Sequence, residues 1–244
     1  MKMKSIAKVS LVLGILATGV NTVTEQPVHA ENKPIQVSQN SKNLKAYYTQ
    51  PSVEYKNVTG YISSIQPKAG TKFMNIIEGN TVNNLALVGK DKQHYHTGVH
   101  RNLDIFYVNE DKRFEGSKYS IGGITEASDK AVDQIAEASD KAVDQIAEAR
   151  VIKEDHTGEY DYDFFPFKID KEAMTLKEVD FKIRKHLIDH YGLYGEMSSG
   201  TVTVKMKYYG KYTFELDKKL QEDRMADIIK VTDIDRIEVI VKKA

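Results

Sequence analysis

His94, His96 and His100 stand close together in a chain of 244 residues. A His-x-His pair on a strand turns both rings to one side, and a third imidazole nearby could complete a tetrahedral zinc site. The same stretch also reads as a polar loop between strands, flanked by Lys90, Asp91 and Gly98, and that reading is favoured. A second concentration is acidic, from Glu154-Asp155 to Asp161-Tyr162-Asp163. Calcium needs more oxygens on a tight loop with a glycine at the bend, and Gly158 is the only glycine offered. A solvated acidic loop fits better. Asp189-His190 and Ser198-Ser199 supply the residue types of a hydrolase, and triad members can lie far apart in sequence. Neither His-Glu-x-x-His nor Gly-x-Ser-x-Gly occurs, and no glycine-rich loop follows a phosphate-binding pattern. There are no cysteines, which excludes a cysteine nucleophile and any thiolate-held metal.

These residues must be placed by a chain that reads as exported. Lys2, Lys4 and Lys8 precede an apolar run from Ser10 to Val20, and Val28-His29-Ala30 offers small residues for cleavage. That order is a secretory signal over Met1–Ala30, with the working protein starting near Glu31. The apolar run is too short to span a bilayer, which takes about 20 residues. The leader is basic, so the neutral whole leaves a slightly acidic remainder. Net charge therefore gives no footprint for nucleic acid. An exported protein without cysteines must stand on its apolar cores, and this length suits one large domain or two of about 100 residues.

Residues 31–42 are polar and aperiodic, a loose N-terminal tail. Leu44–Gln50 reads as a short helix stopped by Pro51. Ser52–Ile62, Thr71–Glu78, Thr81–Val88, Leu103–Val108 and Lys118–Thr125 are rich in Val, Ile, Tyr and Phe and are punctuated by glycines. Short strands with turn signals predict a small barrel. Glu126–Ala136 is then repeated identically as Glu137–Ala147, a period of eleven residues. Eleven residues make three helical turns, so the repeat predicts one helix over 126–149 linking two domains. Thr175–Tyr191 is amphipathic, with Leu176, Val179, Ile183, Leu187 and Tyr191 in one stripe and a Thr175/Glu178 capping box. Arg150–Lys153, Phe164–Lys168, Thr201–Tyr209, Tyr212–Leu216 and a terminal strand through Ile237, Val239 and Val241 surround it. Asp217–Ile229 reads as a second helix. Strands packed on one long helix make an α+β domain.

Lys171, Val179-Asp180, Arg184, Leu187 and Leu193-Tyr194 follow the spacing of the staphylococcal and streptococcal superantigen toxin signature, with Met174 departing from it. Ile121-Gly122-Gly123-Ile124-Thr125 resembles the family's shorter motif, without its leading Tyr. The runs Leu176–Ile188 and Tyr212–Met225 are similar to the staphylococcal superantigen-like proteins in particular. The resemblance implies an N-terminal OB-fold barrel over 43–125 and a C-terminal β-grasp domain over 150–244. It also implies a secreted immune-evasion factor that binds a host secreted or cell-surface protein, without superantigen activity, cofactor or membrane insertion. A protease acting on host matrix proteins or cytokines is the enzymatic alternative. Several relatives bind sialylated glycans, and Lys182 and Arg184 match the family's basic helix positions. The hairpin Tyr208-Tyr209-Gly210-Lys211 departs from the Lys-Asp-Gly-Gly of many glycan binders, which favours a protein target. Tyr209 and Tyr212 are its candidate contacts.

Overall fold

The computed structural model describes residues 37–65, 70–79, 81–127, 145–155, 157–169, 171–208 and 210–243. The expected leader, the body of the repeat and Tyr209 lie outside them. Helix α1 (Gln39–Thr49) opens where Ser38 accepts a hydrogen bond from the Ser41 amide through its side chain. It ends at Gln50, extended before Pro51 as proline requires of its predecessor. The helix therefore begins inside the stretch expected to be a loose tail.

The barrel follows: β1 (Ser52–Ile62), β2 (Phe73–Glu78), β3 (Thr81–Ala86), the single-turn helix α2 (Asp91–His94), β4 (Gly98–Val108), β5 (Arg113–Phe114), β6 (Ser117–Ile121) and β7 (Ile124–Glu126). Its sheet runs β5-β6-β3-β2-β1-β4-β7, with β3 and β6 parallel, and it curls so that the Glu110 amide, just past β4, donates to the Tyr119 carbonyl of β6 at 2.7 Å. Alternate residues fill it, among them Ile62, Met74, Ile76, Leu85, Leu103 and Ile105, all under 2 % exposed. The Gly122-Gly123 motif turns the chain between β6 and β7. Gly123 has φ +94°, and a Cβ there would lie 2.5 Å from the Phe106 carbonyl oxygen. Only glycine lets the two backbones approach this closely.

The second domain comprises β8 (Gln145–Glu154), β9 (Tyr160–Ile169), β10 (Ala173–Thr175), α3 (Leu176–Tyr191), β11 (Met197–Met206), β12 (Lys211–Glu215), β13 (Ile228–Lys230) and β14 (Ile234–Lys243). Five strands form one sheet in the order β12-β11-β14-β8-β9, with β14 and β8 parallel at its centre. Val202, Val204, Ile237, Val239, Val241, Ala149 and Val151 are buried on one face, and the stripe of α3 joins them in one core. The Thr175 side chain caps α3 at the Glu178 amide. The Glu178 carboxylate pairs with Lys171 and Lys182. The fold is α+β, a small barrel and a sheet on one long helix, as the pattern of elements predicts, in the OB-fold and β-grasp arrangement that the resemblance implies.

Two expectations are corrected. Gln145–Ala149 are not the end of a helix but the start of β8, and Glu126 belongs to β7. Ala149 lies opposite Phe165 on β9 and Ile237 on β14, so sheet pairing overrides the helical preference of an alanine-rich run. Asp217–Ile229 is a turn, a short 3-10 helix (Glu222–Ala226) and β13. Met174 pairs with Ile229, which holds the end of that stretch extended.

Candidate functional site

Arg184 was expected at a binding surface, and the structure places it inside. Its side chain is fully buried on α3. Nε donates to Asp180 at 2.6 Å, Nη1 to the Tyr194 hydroxyl at 2.6 Å and the Leu216 carbonyl at 2.9 Å, and Nη2 to the Glu215 carbonyl at 2.9 Å. Burial opposes its charge, but Asp180, Tyr48 and Tyr194 outweigh that and raise its pKa. The Tyr48 hydroxyl donates to the second Asp180 oxygen at 2.7 Å. A buried ion pair this well satisfied is an internal brace: removing one partner strands the other charge, at a cost of about 3–5 kcal/mol.

Lys182 reaches Glu178 and, across the domain boundary, Glu54 on β1, each at 2.8 Å. Burial alone would lower its pKa, but the two carboxylates carry it upward. With Lys171 against the same two acids, this quartet clamps the barrel to α3. Neither helix cation is free for a ligand.

The histidines do not converge. His94 closes α2 rather than lying on a strand, and its Nε2 sits 3.1 Å from Glu126. The His100 Nε2 is spent on the His96 carbonyl at 2.7 Å. Among the described residues no group of three or more His, Cys, Asp or Glu side chains could hold a metal. In the acidic loop, Asp155 accepts from the Thr157 and Glu159 amides and the Thr157 hydroxyl, which holds its carboxyl below the usual range. It is a turn-forming residue. Arg236 and Glu238 pair with one another at 2.9 Å. Among the described residues no serine hydroxyl hydrogen-bonds a histidine ring.

The β11–β12 hairpin is different. Met206, Tyr208, Gly210, Lys211, Tyr212 and Asp233 line an open recess of about 360 Å³. Tyr208 is 75 % exposed. Tyr212 is half-buried with its base on the core. Among the described residues no carboxylate pairs with Lys211. A nearby recess of about 230 Å³ carries Lys218, Lys219 and Arg224, but these hold Glu215, Glu110 and the Thr213 carbonyl. Among the described residues the hairpin thus combines exposed aromatic area with a cation that no carboxylate holds, a combination suited to recognition.

Sequence reasoning missed two buried ionisable groups. The Lys177 Nζ donates to the Ser120 hydroxyl at 2.6 Å and the Ile121 carbonyl at 2.7 Å, bridging α3 to the barrel. Burial pushes its pKa down to about 7. Phe181, an apolar residue off the main stripe and one turn on, is the sequence's sign that α3 has a second covered face. Asp91 is 4 % exposed, has one oxygen with no partner, and is pushed up to about 7 by burial. No sequence signal marks it.

A curled barrel sheet joined to a second sheet packed on one braced helix defines a two-domain α+β protein. The Staphylococcal superantigen-like OB-fold domain model matches residues 42–128, and the staphylococcal/streptococcal toxin β-grasp model matches residues 147–241. Staphylococcal superantigen-like 4 of Staphylococcus aureus (strain Newman) is 46 % identical over 86 % of this chain, which spans 64 % of that relative. The crystal structure of a Staphylococcal Superantigen-Like protein 4 matches with a TM-score of 0.74 and 46 % identity, covering 85 % of this chain and all of that one. That of SSL5 complexed with sialyl Lewis X matches with a TM-score of 0.70 and 32 % identity, over 82 % of this chain and 99 % of that one. The chain belongs to the staphylococcal superantigen-like family.

Proposed function

We propose that this chain is a secreted, non-enzymatic immune-evasion factor that masks a host secreted or cell-surface defence protein by surface contact, without superantigen activity. The β11–β12 hairpin carries the reading. It projects Tyr208 and Lys211 into solvent beside a recess, while Lys182, Arg184 and the second recess's cations are engaged internally. Aromatic side chains with a fixed base and a polar tip bury much area at little entropic cost, which makes them anchors of protein interfaces. The test is a pull-down from serum and neutrophil secretions with residues 31–244 as bait. A host protein should be captured by the native chain and lost with Tyr208→Ala/Lys211→Glu. Capture of nothing, or equal capture by the variant, overturns the proposal.

A second reading rests on the same recess and on the solved relative complexed with sialyl Lewis X. The Lys211 ammonium could pair with a sialic acid carboxylate. A glycan array read before and after sialidase treatment separates the two: binding abolished by sialidase assigns the recess to sugar.

A further inference from the structure

The β-grasp sheet has a second exposed margin, at the opposite edge from the hairpin. Strand β9 ends the sheet order and pairs only with β8 within that sheet. Tyr160 to Phe164 are all exposed. Their side chains alternate: Tyr160, Tyr162 and Phe164, 55 %, 51 % and 54 % exposed, form an aromatic row on the outer face, while Asp161 and Asp163 point to the other side. The segment from Glu154 to Phe167 contains no Lys or Arg. Asp161 pairs with Lys153 and Glu154 with Lys242; among the described residues Asp155, Glu159 and Asp163 have no ion pair, though Asp163 accepts from the Phe164 amide at 2.8 Å and the Tyr191 hydroxyl at 2.9 Å. An open strand edge is a template for another strand, and this one carries a row of rings on one face and negative charge on the other.

A second copy fits poorly. Two β9 strands pairing antiparallel about Tyr162 set Asp161 against Asp163. About Asp161 they set Glu159 against Asp163, and about Asp163 that residue meets itself. Like charges directly opposite destabilise a strand pair. The complementary occupant has basic residues at alternate positions and apolar ones between.

We propose that the outer edge of β9 takes up an extended basic segment of a partner protein as a sixth strand of the β-grasp sheet. Main-chain hydrogen bonds supply affinity once Asp163 gives up the Phe164 amide, the aromatic row receives the partner's apolar side chains, and Asp161 and Asp163 receive its cations in exchange for Lys153 and the Tyr191 hydroxyl. The surface is separate from the hairpin, so the inference stands whether or not the hairpin reading survives.

The chain has no tryptophan, so an indole in a probe peptide is the sole reporter of its kind. The probe is Lys-Val-Lys-Trp-Lys-Val-Lys, titrated with residues 31–244 at low salt. Expected are a blue shift of the indole emission and slowed amide hydrogen exchange along Tyr160–Phe164. The Glu-for-Lys peptide, the same basic peptide N-methylated at alternate residues, and the variant Asp161→Lys/Asp163→Lys should each bind at least about ten-fold more weakly. Circular dichroism checks that the variant folds; should it not, the N-methylated peptide on the native chain decides. Equal binding of the acidic or N-methylated peptide overturns the proposal, as does absence of binding. Dimerisation of the native chain that competes with the peptide gives the edge to a second copy and also overturns it.

Discussion

Lys177 and Asp91 are both buried, both have pKa values moved to about 7, and they tilt stability in opposite directions with pH. Lys177 falls from 10.5, so between about 7 and 10.5 the unfolded chain binds the extra proton. Its penalty is complete below about 7 and fades as pH rises. Asp91 rises from 3.8, so the folded chain binds the extra proton between 3.8 and about 7. Its contribution is complete below 3.8 and is lost as pH climbs through about 7, where a carboxylate with an unpartnered oxygen must stay buried. Asp91→Asn keeps the shape and removes the charge. Relative to the native chain it should gain with pH, by on the order of 2–4 kcal/mol between pH 4 and pH 8. Lys177→Met should show the reverse, its advantage shrinking from pH 6 to pH 9. Urea midpoints across that range check both; curves parallel to the native one would refute the burial account. Both groups lie beyond what residue type reveals, because each owes its state to neighbours brought from other elements.

The elements were legible where local pattern and tertiary demand agree. The stripe and cap of α3 predict its limits to within a residue, and alternation predicts Val202 and Val204 as core. They were misread where a neighbouring strand decides. Gln145–Ala149 carry a helical composition but pair with β9, and Ala149 pairs with β14 as well. The identity of the two repeat copies has a consequence here. Removing Glu137–Ala147 leaves Gln134-Ile135-Ala136 directly before Glu148, which restores the same residues at the head of β8. Only the connection from β7 shortens. Loop-closure cost changes slowly with length, so this deletion should move stability by no more than about 1 kcal/mol. Thermal unfolding monitored by circular dichroism measures it. A deleted chain that fails to fold would show that the longer connection is needed to reach β8.

Over the whole molecule, α1 is the element whose position follows least from its place in the sequence. It precedes the barrel yet packs on α3 of the β-grasp domain. Leu44 and Tyr48 enter a core that also contains Phe73, Val88, Phe106 and Ile121 from the barrel and Val179, Phe181 and Leu216 from beyond it. The Tyr47 hydroxyl donates to Glu110 at 3.0 Å, and Lys219 joins the same carboxylate. Asn40 donates to the Asp217 carbonyl at 2.8 Å. The helix is thus a strap across both domains, and with Lys177 and the Glu54 quartet it makes them share one core instead of meeting as separate bodies. Independent domains touch through modest, polar interfaces; here the boundary is apolar and braced, so unfolding should be one cooperative event. Residues 31–244 are expected to lose tyrosine fluorescence and far-UV circular dichroism at the same urea concentration. Removing residues 31–50 takes away Leu44 and Tyr48 and leaves Asp180 one hydrogen bond short inside the core. Truncation of buried apolar side chains costs about 2–5 kcal/mol each, so the midpoint should fall steeply and the two probes should separate, each domain now unfolding on its own. An unchanged midpoint with coincident probes would show that α1 merely rests on the surface and that the two domains are coupled without it.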